Sequence, residues 1–372
     1  MPTKKTETKK KYYDIKPLLK LEAEYNIIMG ERSNGKTYSV LNVMLEHFLK
    51  TGEYGVYLRR YADEILPANI KGLFNPFDIS KISKGRYNHI AYRGREFLIG
   101  NYDYEKDRWI NKEPFCFTAA LNTWENAKGP DRGVVGIILF DEFLSRRFYL
   151  TNEFLSFQNV LSSFMRDRAN AKIFLVGNTV SFFSPYFEEF GLENIKEMKV
   201  GDLACFTYDN GTKIAVQYTE SVGEEKESAK FFNFNSKKAN MITTGKWEIP
   251  DYPHYADSID FLREVLFRFF VKFDNEIICG NLVHHKKDIF LYFHYQTKDI
   301  PDEDNSLIFE TAVSGNPHHF TTLRASITTY GETMQLVNSL INSNKMFFAT
   351  NKVGEVFNNY YKWQSRFSVL GN

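Results

Sequence analysis

The sequence predicts an α/β fold with a parallel, doubly wound sheet, followed by a smaller α+β domain. Three observations carry this expectation. Short apolar runs of strand length alternate with helix-compatible segments from Tyr25 to Asn178, and that alternation builds parallel sheets. A glycine-rich loop joins the first run to the first helical segment. After Phe190 the alternation stops and hairpin-like runs take over.

The elements follow in order. Tyr25–Met29 reads as a strand that enters the loop at 30–37, and Thr37–Leu49 is compatible with a helix. Gly55–Arg60 reads as a second strand ending in two arginines. Residues 85–118 alternate apolar and polar around Gly94 and Gly100, which predicts a β-hairpin insertion. Val134–Phe140 is nearly all apolar, as expected of a parallel strand buried on both faces. Phe154, Phe157, Leu161, Phe164 and Met165 form one stripe of a helix over 152–168. Lys172–Gly177 is another buried strand, ending at Asn178. Two β runs, 204–208 and 213–218, flank the turn Asp209-Asn210-Gly211. Residues 220–246 are polar and of mixed charge, the composition of a linker. Strands are expected at 266–273, 277–284 and 288–295, and helices at 333–343 and 353–363. The expected boundaries are a first domain over 1–222, a linker over 223–256 and a C-terminal domain over 257–372. There is no internal repeat.

Composition narrows the function classes. The chain has 372 residues, 43% hydrophobic and 25% charged, with 34 Phe and 22 Tyr, enough to bury a real core. Net charge is +1, so any contact with nucleic acid must be a local patch. Cys116, Cys205 and Cys279 are odd in number and far apart, which argues for a reducing compartment rather than a disulfide framework. No 18-residue apolar run marks a membrane span. The first 20 residues hold seven Lys but no apolar core, so they are not a secretory signal; they read as a solvated tail or a nucleic-acid-touching arm.

The chemistry starts with Gly30-Glu31-Arg32-Ser33-Asn34-Gly35-Lys36-Thr37, a complete phosphate-binding loop. Its glycines let backbone N–H groups converge on the β- and γ-phosphates, Lys36 adds positive charge, and the Thr37 hydroxyl ligates Mg²⁺. The helix that follows adds its N-terminus to the anion site. Hydrolysis also needs a metal-holding carboxylate and a group that orients water. Asp141 and Glu142 supply both at the end of a buried strand, Asp141 for the metal and Glu142 for the lytic water. A glutamate directly after that aspartate, with a strand inferred between the two motif strands, assigns the chain to the additional-strand, catalytic-glutamate (ASCE) P-loop ATPases. Asn178 stands where such enzymes keep a γ-phosphate sensor, although Asn after a strand is also an ordinary turn residue. Arg32, Arg59, Arg60, Arg166 and Arg168 are all candidates for stabilising transferred charge, and physics alone does not choose among them.

The stretches 28–37, Tyr57-Leu58-Arg59-Arg60-Tyr61, Leu139-Phe140-Asp141-Glu142-Phe143, Phe164-Met165-Arg166-Asp167-Arg168, Gly177-Asn178 and Ser184-Pro185-Tyr186-Phe187 resemble, in the same order, the phi29-like bacteriophage DNA-packaging ATPases. The resemblance covers roughly 25–190 and is faint beyond about 200. It implies an ATP- and Mg²⁺-dependent motor, acting in the cytoplasm of the infected host at the portal of a prohead. It implies a ring, expected to be a pentamer, that moves double-stranded DNA, with a packaging RNA as a further candidate partner. It implies that Arg166 acts in trans as an arginine finger, and that Lys128, four residues past Trp124, also acts in trans. For the C-terminal domain it implies a vestigial ribonuclease H-type nuclease without its metal-binding acids. Asp274, Glu276 and Asp288 lie around turns, which fits a non-catalytic domain. This chain departs from the family in its Lys-rich start and in extra residues at 100–113 and near 223–250.

A motor that grips any duplex needs Lys and Arg on phosphates. Lys81, Lys84 and Arg86, and Lys237-Lys238, are the basic candidates; Lys286-Lys287 are candidates for RNA or capsid. Two competing readings remain at this level. A P-loop helicase or recombination motor predicts strand separation. A nucleotide-gated scaffold predicts negligible turnover.

Overall fold

The computed structural model describes residues 13–30, 34–123, 133–145, 149–150, 152–165, 171–178, 184–192, 195, 197–219, 252–261, 263–273 and 276–365. The chain divides into two compact units, one of residues 1–146 and 153–247 and the other of 147–152 and 248–372.

In the first unit, β1 (Tyr25–Gly30) leads into helix α1 (Lys36–Thr51), which Gly52 ends in a left-handed conformation. β2 (Tyr54–Arg59) follows, then β3 (His89–Arg93), β4 (Glu96–Asp103) and β5 (Arg108–Ala120). β6 (Val135–Asp141), α2 (Glu153–Met165), β7 (Lys172–Asn178) and the short α3 (Pro185–Glu189) complete the alternating part. β8 (Leu203–Thr207) and β9 (Lys213–Thr219) form the expected hairpin around Gly211, which has φ 83°.

These nine strands make one sheet in the order β3-β4-β5-β2-β6-β7-β1-β9-β8. The six from β5 to β9 are parallel, and the outer strands are antiparallel. β7 lies between β1 and β6, the inserted strand that the carboxylate pair led us to expect. Every residue of β6 is buried, which explains its unbroken apolar run.

The insertion at 85–118 differs from the expected hairpin. It is three strands, and the last is not separate from the main sheet. Cys116–Ala120 of β5 pairs in parallel with Gly55–Arg59 of β2. Phe115 to Ala120 are buried, so this half of the strand completes the core while its exposed half carries the hairpin.

The second unit is a six-stranded sheet built from β10 (Val265–Phe273), β11 (Glu276–His285), β12 (Asp288–Tyr295), β13 (Ile308–Glu310), β14 (His319–Phe320) and β15 (Met346–Phe348). Its order is β14-β13-β10-β11-β12-β15. β10, β11 and β12 form an antiparallel meander, and β13, β14 and β15 add parallel strands at its edges. Helix α4 (Ile327–Asn342) begins earlier than expected and carries a break at Gly331, φ 48°. Helix α5 (Asn351–Gln364) is capped by Thr350, whose hydroxyl accepts from Val353 N. Phe357 of α5 packs on Phe293 of β12 at 4.3 Å, and Tyr360 on Phe309 of β13. Of the expected linker, 223–251 lies outside the described residues, and 252–256 is described as part of the second unit.

Candidate nucleotide site

The parallel sheet brings the expected residues to one edge by register alone. Gly30 ends β1 opposite Asn178, which ends β7, and Asp141 ends β6 opposite Val176. Ligands bind at this carboxyl edge in open α/β sheets. A cavity of about 360 Å³ opens there, lined by residues that include Gly35, Lys36, Thr37, Asp141, Glu142 and Asn178.

The loop has the backbone that its glycines permit. Gly30 has φ 147°, and a Cβ there would stand 2.0 Å from Thr219 Oγ1 of β9. Gly35, at the N-terminus of α1, has φ 91°. Asn34 is tied down on both sides, donating to Thr219 Oγ1 at 2.7 Å and accepting from Lys36 N at 3.3 Å. Lys36 is buried, and its ammonium donates to the Gly30 carbonyl at 3.1 Å, Asn34 Oδ1 at 3.2 Å and Asn178 Oδ1 at 3.4 Å. These three neutral oxygens hold the ammonium between the loop and the end of β7.

Asp141 is buried and its carboxylate is held by three side chains. Thr37 Oγ1 donates to Oδ1 at 2.9 Å, Tyr57 OH donates to Oδ2 at 3.0 Å, and Arg59 stands 3.5 Å from Oδ2. Burial pushes its pKa above the usual carboxylate value, while Arg59 and the two hydrogen bonds pull the other way. Because Thr37 gives its proton to Asp141, its oxygen lone pairs remain for a cation. A hydroxyl and a carboxylate are the donor set of a hard, oxygen-seeking ion, so these residues fit Mg²⁺.

Glu142 has its side chain 48% exposed, open to water as a general base requires. Its backbone is left-handed, φ 59°, an uncommon conformation for glutamate. Arg59 bonds the Glu142 carboxylate at 2.8 Å and that of Glu64 at 2.8 Å. Arg60 is buried and directed at Glu153, 2.8 Å away. Both arginines are therefore committed within their own subunit, which removes them as free candidates for a neighbouring site. Gly30, Asn34, Gly35, Lys36, Thr37, Asp141, Glu142 and Asn178 come together as expected. Glu31, Arg32, Ser33, Lys128, Arg166 and Arg168 lie outside the described residues.

Sequence reasoning missed Tyr57 and Glu153. Tyr57 sits among the apolar residues of β2 and signals only a strand; Glu153 opens a helix, where an acid is ordinary. Among the basic candidates, the Arg86 guanidinium donates to the Leu49 carbonyl and lies over Tyr87, and Lys286 pairs with Asp257 at 2.9 Å. Glu276 pairs with Lys352 at 3.1 Å. No described helix is long and apolar enough to cross a membrane.

The model of the podovirus DNA encapsidation protein (Gp16) family matches residues 7–231, more than half of the chain. The DNA packaging protein of Bacillus phage B103 is 30% identical over 179 residues, 47% of this chain and 50% of that protein. The DNA packaging protein of Bacillus phage phi29 is 27% identical over 184 residues, 49% of this chain and 50% of that protein. The chain thus spans about half the length of the curated relatives it matches. The Phi-28 gp11 DNA packaging motor shares the fold, with a TM-score of 0.52 at 19% identity over 98% of this chain and 100% of that one. The chain belongs to the podovirus DNA encapsidation protein (Gp16) family.

Proposed function

We propose that this protein is the ATPase of a phage DNA-packaging motor, hydrolysing ATP to drive double-stranded DNA into a prohead. The observation that carries the reading is the convergence of Lys36, Thr37, Asp141, Glu142 and Asn178 on one cavity at the carboxyl edge of a parallel sheet. A phosphate cradle alone would serve binding. A buried carboxylate beside the loop threonine, followed by a water-exposed glutamate, serves hydrolysis.

Lys36 neutralises the phosphate oxygens, and the backbone N–H groups around Gly35 at the start of α1 add to the anion site. Mg²⁺, held by Thr37 and through water by Asp141, would spread the charge developing on those oxygens. Glu142 takes a proton from the attacking water. In the present arrangement its carboxylate is paired with Arg59, so it acts as a base only once that pair loosens. Asn178, already bonded to the Lys36 ammonium, senses the terminal phosphate through it.

The subunits act as a ring, expected to be a pentamer, in which Arg166 and Lys128 reach the neighbour's nucleotide. The motor domain covers 1–222, a linker 223–256, and a nuclease-like domain 257–372. The meander extended by parallel strands supports a ribonuclease H-type origin for the last. The domain is read as one without nuclease activity. Portal, prohead and a packaging RNA are the proposed partners.

DNA-stimulated ATP turnover by wild type, Lys36→Ala and Glu142→Gln tests the reading. Wild type should turn over faster with duplex DNA. Lys36→Ala should lose nucleotide binding, and Glu142→Gln should bind ATP but not turn it over. A wild-type protein that binds ATP with no turnover, with or without DNA, would make it a nucleotide-gated scaffold instead.

A further inference from the structure

We propose that Arg60 is a positioning residue for hydrolysis: it fixes the main chain of Glu142 and Phe143 and, through Glu153, ties it to the start of α2. This rests on the hydrolytic reading of the site. The Arg60 guanidinium makes bonds in two directions. On one side NH1 donates to the Glu142 carbonyl at 3.1 Å and NH2 to the Phe143 carbonyl at 2.5 Å. On the other, Nε donates to Glu153 Oε2 at 2.8 Å and NH2 to Glu153 Oε1 at 2.9 Å, a fork-on-fork pair.

The place of this contact gives it meaning. Glu142 adopts φ 59°, and such a residue persists only where its surroundings over-determine it. Arg60 grips the carbonyls of two successive peptide groups, those of Glu142 and Phe143, and Phe143 N donates to Val176 O of β7 at 3.2 Å. The glutamate side chain is thereby aimed from its backbone, independently of what its carboxylate touches. Lysine does not replace this function, because its ammonium is a point charge without the planar fork.

Glu153 carries the link to α2. It is the first residue of that helix, only 1% exposed, and it also accepts from Tyr186 OH of α3 at 2.9 Å. Phe140 of β6 packs under the cluster, 5.8 Å from the guanidinium carbon and stacked with Phe157 of α2. The described part of α2 ends at Met165, one residue before Arg166. One cluster thus joins the turn that aims the base to the first residue of α2. A buried ion pair is a weak stabilising device compared with apolar packing, so geometry is the better account of it here.

The test uses the full chain with Arg60→Lys, Glu153→Gln and Tyr186→Phe. Arg60→Lys should lower kcat about 10- to 100-fold, the scale of a misplaced catalytic group. Nucleotide affinity should stay within about threefold, because these Arg60 bonds go to Glu142, Phe143 and Glu153. Hydrogen exchange of the peptide spanning 139–145 should quicken about tenfold, while that of β1 and β9 stays unchanged. Tyr186→Phe keeps the ring packing and should move kcat and exchange the same way by less. Should Arg60→Lys fail to fold, Glu153→Gln and Tyr186→Phe are read by the same two measurements. Unchanged exchange at 139–145, or turnover within twofold of wild type, overturns the proposal. Absence of turnover in the wild type would instead overturn the hydrolytic reading, and the exchange measurement would still decide the role of Arg60.

Discussion

Tyr57→Phe removes a single oxygen from a packed ring. Tyr57 is 3% exposed, and its hydroxyl donates to Asp141 Oδ2 at 3.0 Å. Burial and the Asp141 charge push the phenol well above its ordinary range, so it remains a donor at any assay pH. A hydrogen bond to a charged group contributes about 1.5–3 kcal/mol, or roughly 10- to 150-fold at about 1.4 kcal/mol per tenfold. Loss of a partner that orients a metal-binding group costs about 10- to 100-fold in metal affinity. The two estimates overlap, so Tyr57→Phe should weaken apparent Mg²⁺ affinity by about 10- to 100-fold with little change in folding. A Mg²⁺ titration of ATP turnover, paired with one of fluorescent-nucleotide binding, measures it. The same bond lowers the Asp141 pKa against the rise that burial imposes. The acid limb of Mg²⁺-dependent activity should therefore move to higher pH in the variant. An apparent Mg²⁺ affinity within twofold of wild type, or an acid limb moved to lower pH, would refute the claim that Tyr57 holds Asp141 in its working state.

Gly30→Ala combines a backbone strained at φ 147° with a Cβ placed 2.0 Å from Thr219 Oγ1 and 3.0 Å from its carbonyl. It should cost about 2–6 kcal/mol by summing a strained conformation and an overpacked contact; a denaturant midpoint equal to wild type would refute this. The folded-state pKa of Asp141 is raised, so the native protein binds its proton more tightly than the unfolded chain does. The stability from this residue is present below its unfolded pKa and lost as pH rises through the folded one. Thermal melts of wild type should therefore lose stability with rising pH relative to Asp141→Asn over that interval, and parallel curves would count against it. Arg166→Ala should abolish turnover in assembled rings yet spare ATP binding, with activity restored in mixtures carrying intact Arg166 on one subunit and intact Glu142 on the next. Normal turnover by a monomeric Arg166→Ala protein would end the trans-arginine reading.

The site was more legible than its wiring. Gly30 to Thr37 and Asp141-Glu142 announce themselves because their chemistry demands fixed spacing next to apolar strands. The position of β7 between β1 and β6 followed from the same motif logic. Tyr57 and Glu153 were not legible, because each meets its partner across long sequence separations, Asp141 in one case and Arg60 in the other. Residues 59–60 appeared as two equivalent arginines, and the strand end between them sends them to different partners: Arg59, the last residue of β2, to the carboxylates at the cavity, Arg60, in the bend that follows, to the buried Glu153. In the second unit the three long strands were legible. β13, β14 and β15 were not, since two or three residues carry no period.

β5 links the outer hairpin to the site. It runs unbroken for 13 residues, Arg108 to Ala120, roughly 40 Å at the rise of an extended strand. Its first half stands exposed in the outer hairpin, beside the rings of Tyr102, Tyr104 and Trp109. Its last residue lies in register with Arg59, the residue that holds both carboxylates of the site. Its pairing with β4 shifts register twice, between Phe97 and Leu98 and between Asn101 and Tyr102, so the strand bends where its exposed half meets its buried half. The covalent path from the hairpin to the residue opposite Arg59 therefore runs along one strand and contains no loop.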